Sequence, residues 1–266
     1  MSLLFLPSDK VLGSFITAFI GKNLVNQHSN FIKNNHDSFS LACQLLQYLA
    51  INNYQFQLFW QTQSQHFFPS DIAIAMFPLM IYNYHNPKIL EKELAIISNN
   101  YSLGKIEEDS IKIIITIVNL ILTNELEFSE IIGNLTKGKD EIKNYLQLIE
   151  EFIKNHAPLT QVEEKLSTNI PKNLLSIYQS IYCFFSFPDN LKISLQRSSY
   201  FAQESEATAI LTGYLLGLYH GYINIPYQWR TEINFTSSPI ESNLKIKEIE
   251  ILTEKLVANW QGKMDN

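Results

Sequence analysis

Glycine is scarce in this chain, with nine residues in 266. So few leave little room for glycine-rich phosphate cradles, and no G-x-x-x-x-G-K-[ST], G-x-G-x-x-G or G-x-S-x-G pattern occurs. The P-loop, dinucleotide-fold and serine-hydrolase readings fall with them. Cysteine is scarcer still. Cys43 and Cys183 each sit in an apolar helical pattern, with no C-x-x-C for zinc. Two buried thiols rather than a disulfide are expected, which fits a reducing, cytoplasmic setting. Basic residues are outnumbered, 20 Lys and Arg against 26 Asp and Glu, giving a net charge of −6. A basic face for nucleic acid is therefore not expected. No apolar run reaches membrane-spanning length. The longest, Ile111 to Leu122, is interrupted by Lys112 and Asn119. No secretory signal is expected either, because Met1 to Leu6 is apolar but short and lacks a basic lead. Alternating strand patterns are few.

What remains is helix. Hydrophobic residues make up 46% and charged residues 17%, a globular balance. Apolar positions recur at helical spacing along most of the chain, predicting an all-α, single-domain bundle over 1–266. A first helix is capped by Ser8 or Asp9 and runs to about Val25. Others span Phe39–Ile51, Asp71–Tyr84 with a kink at Pro78, Pro87–Ile97, Glu107–Thr123, Glu141–Lys154, Pro171–Phe185 and Leu191–Ser198. A last one runs from about 238 to 260 behind a Ser238-Pro239-Glu241 capping box. Pro158–Asn169 reads as a connection.

The stretch Ser198 to Trp229 organises the rest. Ala207, Ile210, Leu211, Tyr214, Leu215 and Leu218 line one helix face, and Gly213, Gly217 and Gly221 recur every four residues. Such a row lets another helix approach closely, at about 1 kcal/mol per interior glycine. Glu204 and Glu206 stand where that helix begins. They suit a helix N-terminus electrostatically and are also the hard oxygen donors a divalent cation takes. Asn35-His36-Asp37-Ser38 precedes an earlier helix, with Asp37 or Ser38 as its N-cap. The aromatics Tyr54, Phe56, Phe59 and Trp60 read either as core or as a partner surface.

Ser198–Ala207, the helix after it and Ile225-Pro226-Tyr227-Gln228-Trp229 resemble the C-terminal signature of the ADP-ribosylglycohydrolase family. That signature reads A-x-N-x-G-G-D-T-D-T-I-A-A-I-A-G, then I-P-x-x-W. Weaker matches follow in the family's order: Lys10–Leu24 at the opening, Asn35–Ser38 for T-D-D-T, Ala73–Leu79 for A-M-R-x-A-P-L, and Ile181–Asp189 for the run ending in F-P-D. The resemblance implies the family's all-α fold over about residues 10–230. It also implies a cleft where two magnesium ions assist cleavage of a glycosidic bond of ADP-ribose. On this chain the metal positions map to Asp37, Glu204, Glu206 and His36, with Asn35, Ser38, Gln203 and Ser205 along the cleft. The departures are as telling. His36 replaces an aspartate, Glu204 and Glu206 replace two more, Ala207 replaces a threonine, Ala202-Gln203 replaces the glycine pair, and Lys22 stands for another aspartate. A neutral imidazole suits transition metals better than magnesium. The expectation is a degenerate, catalytically inactive member that needs no cofactor and binds an unidentified protein partner. Two alternatives are a hydrolase with a remodelled site that uses magnesium, and a nucleotide or ADP-ribose sensor.

Overall fold

The computed structural model describes residues 6–28, 37–51, 59–60, 67–127, 135, 140–230 and 246–264. Its helices are, in order, α1 (Ser8–His28), α2 (Ser38–Ile51), α3 (Pro69–Ala75), α4 (Phe77–Tyr82), α5 (Pro87–Tyr101), α6 (Lys105–Thr123), α7 (Asp140–Lys154), α8 (Leu159–Asn169), α9 (Leu175–Ser186), α10 (Leu191–Ser199), α11 (Ser205–His220) and α12 (Ile246–Met264). A 3-10 turn, Lys172–Leu174, leads into α9. No strand occurs among the described residues, as the apolar spacing implies.

α1 and α11 pack backbone to backbone along the middle of the molecule. A Cβ on Gly217 would lie 2.1 Å from the Gly13 carbonyl oxygen, and one on Gly213 would lie 2.5 Å from that of Thr17. One on Gly21 would lie 2.4 Å from the Ala209 oxygen. The close approach is therefore shared: Gly13 and Gly21 serve it from α1, Gly213 and Gly217 from α11. Gly221, the third member of the expected row, does something else. It ends α11 at φ +78°, a conformation that favours glycine. The chain beyond it is held by Asp9, whose carbonyl accepts from the Tyr222 amide at 3.0 Å and whose carboxylate accepts from the Ile223 amide at 3.1 Å.

The buried side chains form one continuous apolar cluster around this pair. Tyr214 of α11 is its hub, stacked on Phe77 with ring centroids 4.0 Å apart and set edge-on to Phe15 at 5.3 Å. The expected kink at Pro78 is a full break: α3 stops at Ala75 and α4 restarts with Pro78 in its first turn, where a missing N–H costs nothing. The expected connection after Pro158 is instead helix α8. It buries only Val162 and Leu166, a stripe too narrow to announce itself in sequence. The last helix is described from Ile246, and its expected capping box lies outside the described residues. No helix among the described residues is long and apolar enough to cross a membrane. Cys43 and Cys183 are free thiols in the core, each pushed up to about 12 by burial.

Candidate functional site

Asp37 occupies the N-terminus of α2. Its Oδ1 accepts from the Ser40 amide at 3.0 Å, and its backbone carbonyl accepts from the Leu41 amide, so it is the helix cap. Its Oδ2 accepts from the Lys22 ammonium of α1 at 2.6 Å. That ammonium also stands 5.8 Å from the Phe39 ring centroid. Both carboxylate oxygens thus have protein donors, one of them already a full positive charge. Ser38 is buried behind the cap. Cys43 and Tyr214 lie beneath, and Asp37 adds to the burial that raises both of their pKa values.

Glu204 and Glu206 stand at the start of α11. Glu204 is the N-cap residue with φ 57° and ψ 26°, a left-handed conformation that costs a non-glycine residue about 1 kcal/mol or more. Its carbonyl accepts from both the amide and the hydroxyl of Thr208, at 3.0 and 2.9 Å, and the hydroxyl also lies 2.8 Å from Oε1 of the buried Gln179. The strained residue is therefore pinned from below. Its side chain is half-buried, and burial raises its carboxyl pKa. Asp71 adds to the rise and Lys172 opposes it. Glu206 sits in the first turn of α11, also partly buried, and Ser205 opens that helix. Gln203 is exposed on the loop before it. That loop is tied down at the Ala202 amide, which donates to Glu163 of α8 at 2.6 Å.

The neighbouring acids follow the same habit. Asp71 accepts from the Phe68 amide at 3.0 Å, which caps α3. Glu107 accepts from the Gly104 amide at 2.5 Å and from the Asn173 side chain, which caps α6. These carboxylates satisfy backbone donors that helix starts leave open. Among the described residues, no three of His, Cys, Asp and Glu converge closely enough to hold a metal ion. A cation approaching Asp37 Oδ2 would have to share it with, or displace, the Lys22 ammonium.

The remaining site expectations divide. His36, Asn35, Tyr54 and Phe56 lie outside the described residues. Phe59 and Trp60 take the core alternative. They are buried, edge-on to each other at 5.5 Å, with Tyr101 against Trp60 at 6.2 Å. Large aromatic area is more stably placed in the core than in water. Lys22, Asp71, Glu163 and Lys172 were not legible as site residues. Lys22 alone left a trace, as a cation at a position where the family carries an acid.

A family model for ADP-ribosylglycohydrolase matches residues 45–266. No curated protein matches this chain in sequence. Among solved structures, an ADP-ribosylglycohydrolase-related protein complex is similar with a TM-score of 0.61 and 11% identity. The alignment covers 94% of this chain and 98% of that one. So low an identity speaks for the fold only, but the family match spans most of the chain. The all-α architecture and the matched segment therefore have one origin, and the chain belongs to the ADP-ribosylglycohydrolase family.

Proposed function

We propose that this chain is a member of the family that has given up glycosidic hydrolysis and uses the retained scaffold to bind a partner protein. The observation that carries this reading is the double commitment of Asp37, to the Lys22 ammonium and to the Ser40 amide. A carboxylate already neutralised by a lysine gains little from a metal ion and must break a charge-assisted bond to take one. No cofactor belongs to this reading. Phe68 and Tyr200, both exposed, lie close in sequence to Asp71 and Glu204 and belong to the proposed contact surface. The test is hydrolysis: ADP-ribosyl-arginine and ADP-ribosyl-serine peptides incubated with the chain and magnesium should release no ADP-ribose.

A second reading rests on Glu204. A half-buried carboxyl with a raised pKa, held on strained backbone, has the character of a general acid for glycoside cleavage. In that reading any divalent ion is held by fewer than three of Asp37, Glu204 and Glu206, because the three do not converge on one ion. Release of ADP-ribose that falls in Glu204→Gln would establish it in place of the first. ADP-ribose binding without turnover would mark a sensor.

A further inference from the structure

At the opposite end of α11 from Glu204 lies a cavity. The helix separates the two by about 24 Å, taking 1.5 Å per residue over its length. The cavity measures about 450 Å³ and opens between the C-terminal ends of α6 and α11. That volume suits a ligand of monosaccharide to disaccharide size.

Its polar groups are unusual in their balance. Lys10 reaches in from α1, and its ammonium donates to the Ile121 carbonyl at 3.3 Å and to Asn124 Oδ1 at 3.1 Å. Among the described residues these are its acceptors, which leaves one of its three N–H groups over. Asp189 lines the facing side with an exposed carboxylate. The His220 ring nitrogen Nε2 lies 2.7 Å from the Pro188 carbonyl, which can only accept. In the neutral ring the proton is therefore on Nε2, and Nδ1 is an acceptor. Asn224 uses its amide nitrogen on the His220 carbonyl at 2.6 Å, which leaves its oxygen as an acceptor. The Tyr219 ring supplies an apolar side.

We propose that this cavity binds a neutral polyhydroxyl compound of sugar size. An anion would face Asp189 and the negative ends of two helices, and a cation would face the Lys10 ammonium. A hydroxyl meets both demands, since it accepts from Lys10 and donates to Asp189, His220 Nδ1 or Asn224 Oδ1. The charges already on the wall cancel, so the ligand needs none. A ring face laid on Tyr219 places its apolar C–H groups against carbon.

The test is saturation-transfer NMR on the full chain with glucose, ribose and mannitol, each at about 10 mM, where weak single-sugar binding is visible. Glucosamine and gluconate serve as cationic and anionic counterparts. At least one neutral compound should show transfer. Asp189→Ala should weaken that binding by about tenfold, as loss of a hydrogen bond to a charged group does. Asp189→Asn should weaken it less, and Lys143→Ala on exposed α7 surface should leave it unchanged. Asp189 is exposed, so these variants fold. No transfer from any neutral compound, transfer undiminished in Asp189→Ala, or a preference for glucosamine or gluconate would overturn the assignment.

Discussion

The α1–α11 seam and the acidic starts of α2 and α11 are opposites in kind. In the seam, shape decides everything. Carbonyl oxygens of one helix lie where a single methyl on the other would fall, so only glycine serves. At the helix starts, charge decides, and charge has more than one solution. Asp37 can be neutralised by an ion or by Lys22, and the chain carries Lys22. A scaffold fixed by backbone contact survives the exchange of its polar residues.

The sharpest way to break the comparison is to place a methyl in the seam. Gly217→Ala forces the Gly13 backbone away and should destabilise the protein by about 3 kcal/mol or more in urea unfolding. Gly262→Ala, on α12 with open space around it, should instead be neutral or stabilising by up to about 1 kcal/mol. Trp60→Ala should cost about 3–5 kcal/mol, the penalty of a core aromatic and not of a surface one.

At the polar end the effects are smaller. Asp37→Ala removes cap and ion pair together and should cost about 1–2 kcal/mol, whereas Asp37→Asn keeps the cap and should cost less. Thermal unfolding across salt concentrations separates the two, because only the ion pair is screened. Smallest is the pH effect of Glu204. Burial, and then Asp71, raise its folded pKa, so ionising it destabilises the folded state. That penalty is absent at pH below the ordinary carboxylate range and grows as pH rises through the elevated value. Glu204→Gln should therefore raise Tm at about pH 8 and leave it unchanged at about pH 3. A shift of equal size at both pH values would show that the carboxyl is not perturbed.

The sequence carried the helices whose apolar stripes are broad, and it carried the glycine approach because small residues at a step of four have few other uses. It missed α8, whose stripe is two buried residues, and it placed Gly221 in a row that ends before it. The family was legible from motif order even where the motif residues had changed. The site was legible only in part. Asp37 reads as a cap and is one, but its pairing with Lys22 joins residues fifteen apart on two helices, which no local spacing encodes. Phe59 and Trp60 could not be sorted between core and surface because aromatic residues serve both.

The reading of the site rests on Asp37, whose two carboxylate oxygens are committed to Lys22 and to the Ser40 amide. Calorimetric titration of the metal-stripped chain with magnesium, and then with ADP-ribose, tests it most directly. Magnesium should not bind in the millimolar range or below, and Lys22→Met, which frees Asp37 Oδ2, is the variant in which weak binding should first emerge. Saturable magnesium binding that weakens in Glu204→Ala and Glu206→Ala would contradict that reading.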